Sequence, residues 1–284
     1  MRRLVRIVTD SAADFEPWEL EQKNIKAVPL SVIFGEKEYK ENIDLTKEEF
    51  YKLLKTEKDM PRTSQPSPQD YLDLIDEARE KGDDIIIITI SSGLSGTYQS
   101  VAATKELSGY ERCFVIDSLN GTGGERMSVE YAVRLRDEGK SAEEIVKKVT
   151  AIRERVVLYT VMDTLEYLHR GGRISNTVYK IGSIAHIKPI MHVSKEGRPE
   201  IPAKTMGTSK GIDFVVKHVE KDMPDEDFPF YIMFTENRKN GEILRERLEK
   251  IGVSVPEERI IPVGAVVGTH IGPGACAVVY IGKK

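Results

Sequence analysis

The run Ile85-Ile86-Ile87-Ile88, with Asp83-Asp84 before it and Thr89-Ile90-Ser91-Ser92 after it, constrains the fold more than any other feature of this chain. A short strand that is apolar at every position offers no face to water, so it must be covered on both sides, as the strands of parallel sheets are. Parallel strands need crossovers, and the next residues supply one. Ser91-Ser92-Gly93-Leu94-Ser95-Gly96-Thr97 is a turn of hydroxyls and glycines leading into a helical stretch from Tyr98. At such a junction free backbone N–H groups and the positive end of the helix dipole face outward, where open sheets bind ligands. The turn therefore predicts a site for an anionic group, although a Ser/Gly turn also serves as plain punctuation.

The same unit recurs. Residues 4–9 read as a strand ending in Thr9-Asp10-Ser11, and residues 113–116 as another, followed by Asp117-Ser118-Leu119-Asn120-Gly121-Thr122-Gly123-Gly124 and a helix. Residues 27–34 read as one further strand, which Gly35-Glu36 turns into a hairpin. Thr46 with Glu49, and Ser141 with Glu144, form capping boxes that open helices. The prolines at 61, 66 and 68 fix an extended loop carrying Thr63 and Ser64, with Ser67 as the N-cap of a helix over 69–81. After residue 155 the pattern changes to strands mixed with a hairpin around Glu196-Gly197 and helices over 210–221 and 241–251. The expected fold is thus α/β with two domains. Residues 1–155 form a three-layer α/β/α domain with a mainly parallel sheet, and residues 156–284 a two-layer α/β domain with a mixed sheet.

Composition removes several function classes. A net charge of −4 leaves no basic stripe for nucleic acid. Cys113 and Cys276 lie in apolar runs without CxxC spacing, which suggests buried thiols in a reducing cytoplasm. Arg6 and Asp10 interrupt the first apolar segment, and no run approaches the ~18 apolar residues of a membrane span, so neither a signal sequence nor an integral membrane segment is expected. The abundance of Lys, Arg and Glu leans towards a heat-adapted source. No HExxH or paired histidine spacing points to a metal, and Gly121-Thr122-Gly123-Gly124 lacks the spacing of a dinucleotide fingerprint, so no cofactor is expected.

Two loops remain as candidates. Gly268-Thr269-His270-Ile271-Gly272-Pro273-Gly274 reads as a loop in which backbone can approach closely and His270 can donate to an anion or titrate near neutrality. Arg170-Gly171-Gly172-Arg173 reads as an exposed basic turn. Gly93-Leu94-Ser95-Gly96-Thr97 also nearly matches a G-x-S-x-G nucleophile elbow. Ser95, Asp117 and His270 follow the chain order of an α/β-hydrolase triad, which keeps a serine hydrolase open as an alternative, with Thr97 in place of the last glycine. A phosphate held at the same helix N-terminus is a third reading.

Taken in order, IVTDSAAD, VPLSVIFG, TSQPSP, SSGLSGTYQS, YLHRGGRIS, KPI and GTHIGPG make the chain resemble, nearly end to end, the DegV family of bacterial lipid-binding proteins. The resemblance implies a protein that is not itself an enzyme and buries one long-chain fatty acid between two domains. The carboxylate would rest on Thr63, Ser95 and His270, with a backbone N–H near Gly96. It also implies presentation of that carboxylate to the ATP-binding subunit of a separate fatty acid kinase, which would form an acyl phosphate, with Arg173 on the partner-facing surface. Where relatives tend to carry a basic residue after the KPI hairpin, this chain has Met206. The chemistry suits such a ligand. A buried carboxylate needs hydrogen-bond donors, and a tail of about fifteen methylenes offers on the order of 12 kcal/mol at ~0.8 kcal/mol per CH₂ before binding costs. A charged His270 would make affinity fall as pH rises through its raised pKa.

Overall fold

In the computed structural model, which describes residues 3–182 and 186–283, the four isoleucines divide evenly between two cores. The first half of the chain contains β1 (Val5–Asp10), α1 (Pro17–Lys23), β2 (Ile25–Val28), β3 (Ser31–Phe34), β4 (Lys37–Lys40), α2 (Lys47–Thr56) and β5 (Arg62–Ser64). It continues through α3 (Pro68–Lys81), β6 (Asp84–Thr89), α4 (Thr97–Ser108), β7 (Cys113–Asp117), α5 (Gly123–Asp137) and α6 (Ala142–Arg153). The order β2-β1-β6-β7 gives a four-stranded sheet paired in parallel throughout. Ile85 and Ile87 meet Tyr71 and Ile75 of α3 and Val101 of α4, whereas Ile86 and Ile88 meet Val129 of α5 and Ile145 of α6. Each is fully buried, a gain of roughly 1.5–3 kcal/mol per side chain. These are the three layers expected.

Residues 27–34 do not form one strand. Pro29 cannot donate to a ladder and restricts Val28 before it, and Leu30 N donates to Ser11 Oγ at 3.0 Å, turning the chain out of the parallel sheet. β3 enters a separate antiparallel sheet of order β4-β3-β5, with Val32 opposite Thr63. The expected capping boxes at Thr46 and Ser141 are present, and Ser67 forms another with Asp70.

The second half contains β8 (Val156–Val161), α7 (Glu166–Arg170), α8 (Asn176–Gly182), β9 (Ile187–Val193), β10 (Pro199–Met206) and α9 (Thr208–Asp222). Then come β11 (Tyr231–Phe234), α10 (Lys239–Glu249), β12 (Ile260–Pro262), α11 (Ala265–Ile271) and β13 (Cys276–Ile281). The six-stranded order β10-β9-β8-β13-β11-β12 is antiparallel except for the β11–β12 pair. One face packs on α9 and α10 through residues such as Val215, Val219, Leu244 and Leu248. The other, with Leu158, Met191, Met233 and Ala277, meets Met127 of α5. Helix α5 is thus sandwiched between the two large sheets.

Residues 265–271, whose His270 segment was expected to be a loop, form helix α11. Gly268 and the β-branched Val266, Val267, Thr269 and Ile271 give it little intrinsic propensity, so burial and tertiary hydrogen bonds must hold it. Gly268 lets it lie on α2: a Cβ there would sit 2.7 Å from Tyr51 Oη and 2.8 Å from Phe50 Cε1. Cys113 and Cys276 are free and buried. Among the described residues, no helix is long and apolar enough to cross a membrane.

Candidate functional site

A cavity opens where the inner face of the six-stranded sheet meets the turn after β6, the loop before α5, and α11. With its mouth it holds ≈ 850 Å³ of space between atoms, yet only ≈ 80 Å³ could seat the centre of a water molecule, so the space is slender. Leu158, Met191, Met233, Val263, Val266 and Ala277 make its wall predominantly apolar. Two of its hydroxyls are used internally: Thr122 donates to Asp14, and Thr235 accepts from Ala275 N. The polar groups left for a guest are centred on Thr63, Ser95, Arg173 and His270.

Four separate elements bring these together. Thr63 lies on β5, and its Oγ1 is 2.9 Å from Nε2 of His270 on α11. Ser95 lies in the turn after β6. Its N–H donates to Ser91 O at 3.0 Å, and its Oγ accepts from Thr97 N and lies 2.9 Å from Thr97 Oγ1, so the hydroxyl also caps α4. The β9–β10 hairpin clamps this turn from the second half of the chain, with Ser91 Oγ donating to Gly197 O at 2.8 Å. Gly96 is exposed on an open cleft just outside, beside Gln99 and Arg198, rather than on the cavity wall.

The exposed basic turn expected at 170–173 needs correction. Arg170 is exposed and pairs with Glu166 at 2.6 Å. Arg173 is half-buried and lines both the cavity and the outer cleft. Its Nε donates to Leu94 O at 3.0 Å and its Nη1 to Gly171 O at 2.6 Å, which ties the guanidinium to the Ser95 turn. Burial draws its pKa down.

The charge of His270 was open on sequence grounds. Burial, with the positive charge of Arg173 adding to it, draws its pKa down to about 3, so the imidazole is neutral at physiological pH. Among the described residues Nδ1 has no partner, and it packs against Gly171, where a Cβ would collide with it. We assign the Nε2–H tautomer, which donates to Thr63 Oγ1 and leaves only a lone pair unmatched at Nδ1. The Thr63 hydroxyl proton is then free to point at a guest. Arg173, rather than a charged His270, is the cation at this cavity.

The hydrolase triad does not assemble. Asp117 accepts from Ser92 N at 3.2 Å and Leu119 N at 2.9 Å, His270 pairs with Thr63, and Ser95 with Thr97. No carboxylate orients His270 for base catalysis. Among the described residues, no group of three or more His, Cys, Asp or Glu side chains could hold a metal ion.

Sequence reading missed the groups beneath the site. Asp10 accepts from Ile90 N at 2.8 Å and Ala12 N at 3.1 Å, fixing the end of β6 from which the Ser95 turn departs. Asp14 Oδ1 accepts from Gly264 N at 2.8 Å and Glu41 Oε1 from Val266 N at 2.9 Å, at the start of α11. The TDSAAD segment was visible in the sequence, but nothing local in it reveals partners some 80 or 250 residues away.

With this geometry in place, the chain matches the model of the DegV family, a family of uncharacterised proteins, over residues 4–283. It is 34% identical over 278 residues to a DegV domain-containing protein of Caldanaerobacter subterraneus subsp. tengcongensis, covering 97% of this chain and 98% of the relative. Its fold is similar to that of DegV from Bacillus subtilis, a fatty acid binding protein, with a TM-score of 0.85 and 29% identity over 99% of this chain and 100% of the other. It is also similar to a fatty acid binding DegV family protein from Streptococcus agalactiae, with a TM-score of 0.89 and 26% identity over the whole of both chains.

Proposed function

The chain belongs to the DegV family, and from that premise we propose that its cavity holds one long-chain fatty acid, with the tail along the apolar wall and the carboxylate at Thr63, Ser95 and His270. The observation that carries this reading is the pairing of a slender apolar cavity with one cluster of hydroxyl, imidazole and guanidinium groups. A slender apolar space suits an alkyl chain, and the cluster offers donors to an anion. Neutral His270 and Thr63 orient the head, and Arg173 supplies the compensating charge. Solvent extraction of the purified protein followed by mass spectrometry tests this. The expected recovery is a long-chain fatty acid at about one per chain, the occupancy of this slender cavity. Recovery of only phosphorylated or nucleotide ligands would contradict it.

We further propose that the protein acts as a carrier, in the cytoplasm, presenting the carboxylate to a separate ATP-dependent kinase subunit for acyl-phosphate formation. Support comes from Arg173, which lines the cavity and also the cleft outside it, where Gly96 and Gln99 are exposed. A guanidinium there can face both a carboxylate and an incoming phosphoryl group. Incubating the loaded protein with such a kinase, ATP and hydroxylamine should yield the acyl hydroxamate. Its absence with a kinase active on another loaded carrier would set this second step aside.

A further inference from the structure

Asp14 and Glu41 line no part of the cavity, yet they hold the helix that carries His270. Helix α11 has seven residues and poor propensity, and its first N–H groups have no partner within the helix. Two carboxylates from the first half of the chain satisfy two of these donors, and both converge on Gly264, where a Cβ would collide with each. Val266 and His270 stand four residues apart, about one helical turn, so an error in seating the first residues is carried as a rigid displacement to the imidazole.

The surroundings fix the two acids in turn. Asp14 also accepts from Thr122 at the start of α5, and the Ser11 side chain faces Glu41. Lys47 and Tyr51 of α2 and Arg126 of α5 face the pair, with Asp10 and Glu125 acting on Asp14 from the neighbouring buried acids. Glu41 Oε2 has no partner among the described residues.

We infer that Asp14 and Glu41 are positioning residues: by accepting from Gly264 and Val266 they seat α11 so that His270 Nε2 meets Thr63 Oγ1. Burial first, and the Asp14 charge second, push Glu41 up to about 7, so a neutral amide is a fair mimic of it near neutrality. The consequence for ligand affinity rests on the fatty-acid reading above, whereas the placement of His270 does not.

The test uses full-length protein labelled with ¹⁵N-histidine, comparing wild type, Glu41→Ala, Glu41→Gln and Asp14→Asn. Ligand-free imidazole ¹⁵N shifts report the His270–Thr63 bond, with Thr63→Val as the reference for its loss. Fluorescent fatty-acid binding reports the consequence. Glu41→Ala should move the His270 signal towards that of Thr63→Val and weaken binding about tenfold, the effect of one misplaced buried hydrogen bond. Glu41→Gln and Asp14→Asn, which keep an acceptor oxygen, should stay closer to wild type than Glu41→Ala in both readouts. A wild-type signal and affinity in Glu41→Ala would overturn the inference. So would Glu41→Gln failing as badly as Glu41→Ala, whether folded or not, because general structural support rather than the acceptor would then be responsible. If wild type itself binds no fatty acid, the ligand reading fails while the ligand-free imidazole shifts still decide the positioning.

Discussion

The turn after β6 and the helix α11 both bring a polar side chain to the same cavity, by opposite means. Ser95 sits in a turn closed mainly by its own neighbours, with Gly197 and Arg173 adding one contact each: Ser91 O accepts from Leu94 N and Ser95 N, and Thr97 pairs with the Ser95 hydroxyl. His270 sits on a helix whose anchors, Asp14 and Glu41, lie more than 200 residues away in the chain. A locally closed turn keeps its shape when one contact is lost. A helix of seven residues held by buried carboxylates does not, so head-group geometry should be robust on the Ser95 side and fragile on the His270 side.

The largest expected effect follows from removing an anchor. Asp14→Ala should destabilise the protein by about 2–6 kcal/mol in urea unfolding, since it strips two buried donors, Gly264 N and Thr122 Oγ1, of their acceptor at about 1–3 kcal/mol each. A loss under about 1 kcal/mol would erase the contrast between the two regions. Next comes Arg173→Ala, expected to weaken fatty-acid binding by about 1.5–3 kcal/mol, as for a hydrogen bond to a charged group. Unchanged affinity with reduced acyl-phosphate formation would instead return Arg173 to a purely partner-facing role.

A pH effect sharpens the comparison further. Burial pushes Asp10 from 3.8, and Glu41 from 4.5, up to about 7. The native state therefore keeps protons that the unfolded chain has already lost, and this contribution is present below about pH 4 and disappears as pH rises through about 7. The melting temperature should be lower at pH 8.5 than at pH 6, by a few degrees if the loss is about 1–2 kcal/mol, and Glu41→Gln should flatten that slope. His270 stays neutral in the native state while the unfolded chain's imidazole still binds a proton near pH 6, so it opposes that slope, and His270→Gln should steepen it by about 1 kcal/mol or less. The smallest effect belongs to the turn: Ser95→Ala should cost about 1 kcal/mol or less in stability while weakening binding by about 1–3 kcal/mol.

The same contrast explains what could be read from the sequence. The capping boxes at Thr46 and Ser141 close through residues three apart, and the all-apolar run Ile85 to Ile88 demands cover on both faces whatever supplies it, so both were legible. The break at Pro29 was also local, but two short strands in register with different sheets look like one apolar run until their partners are known. The helical state of His270 was not legible, because its stability resides in Asp14 and Glu41. The neutrality of His270 was hidden for a related reason: it depends on burial and on Arg173, which reaches the cavity only after the two halves pack.

Equilibrium binding of three competitors to the delipidated protein tests the assignment of head and tail most directly: hexadecanoic acid, hexadecanol and hexanoic acid. Ten fewer methylenes should cost hexanoic acid nearly all affinity, up to on the order of 8 kcal/mol at ~0.8 kcal/mol per CH₂. Loss of the charged head should weaken hexadecanol at least about tenfold, the effect of one charge-assisted hydrogen bond. The expected order is therefore hexadecanoic acid far ahead of hexadecanol, with hexanoic acid last. Equal binding of the acid and the alcohol, or of the long and the short acid, would contradict a carboxylate held at Thr63, Ser95 and His270 with its tail in the cavity.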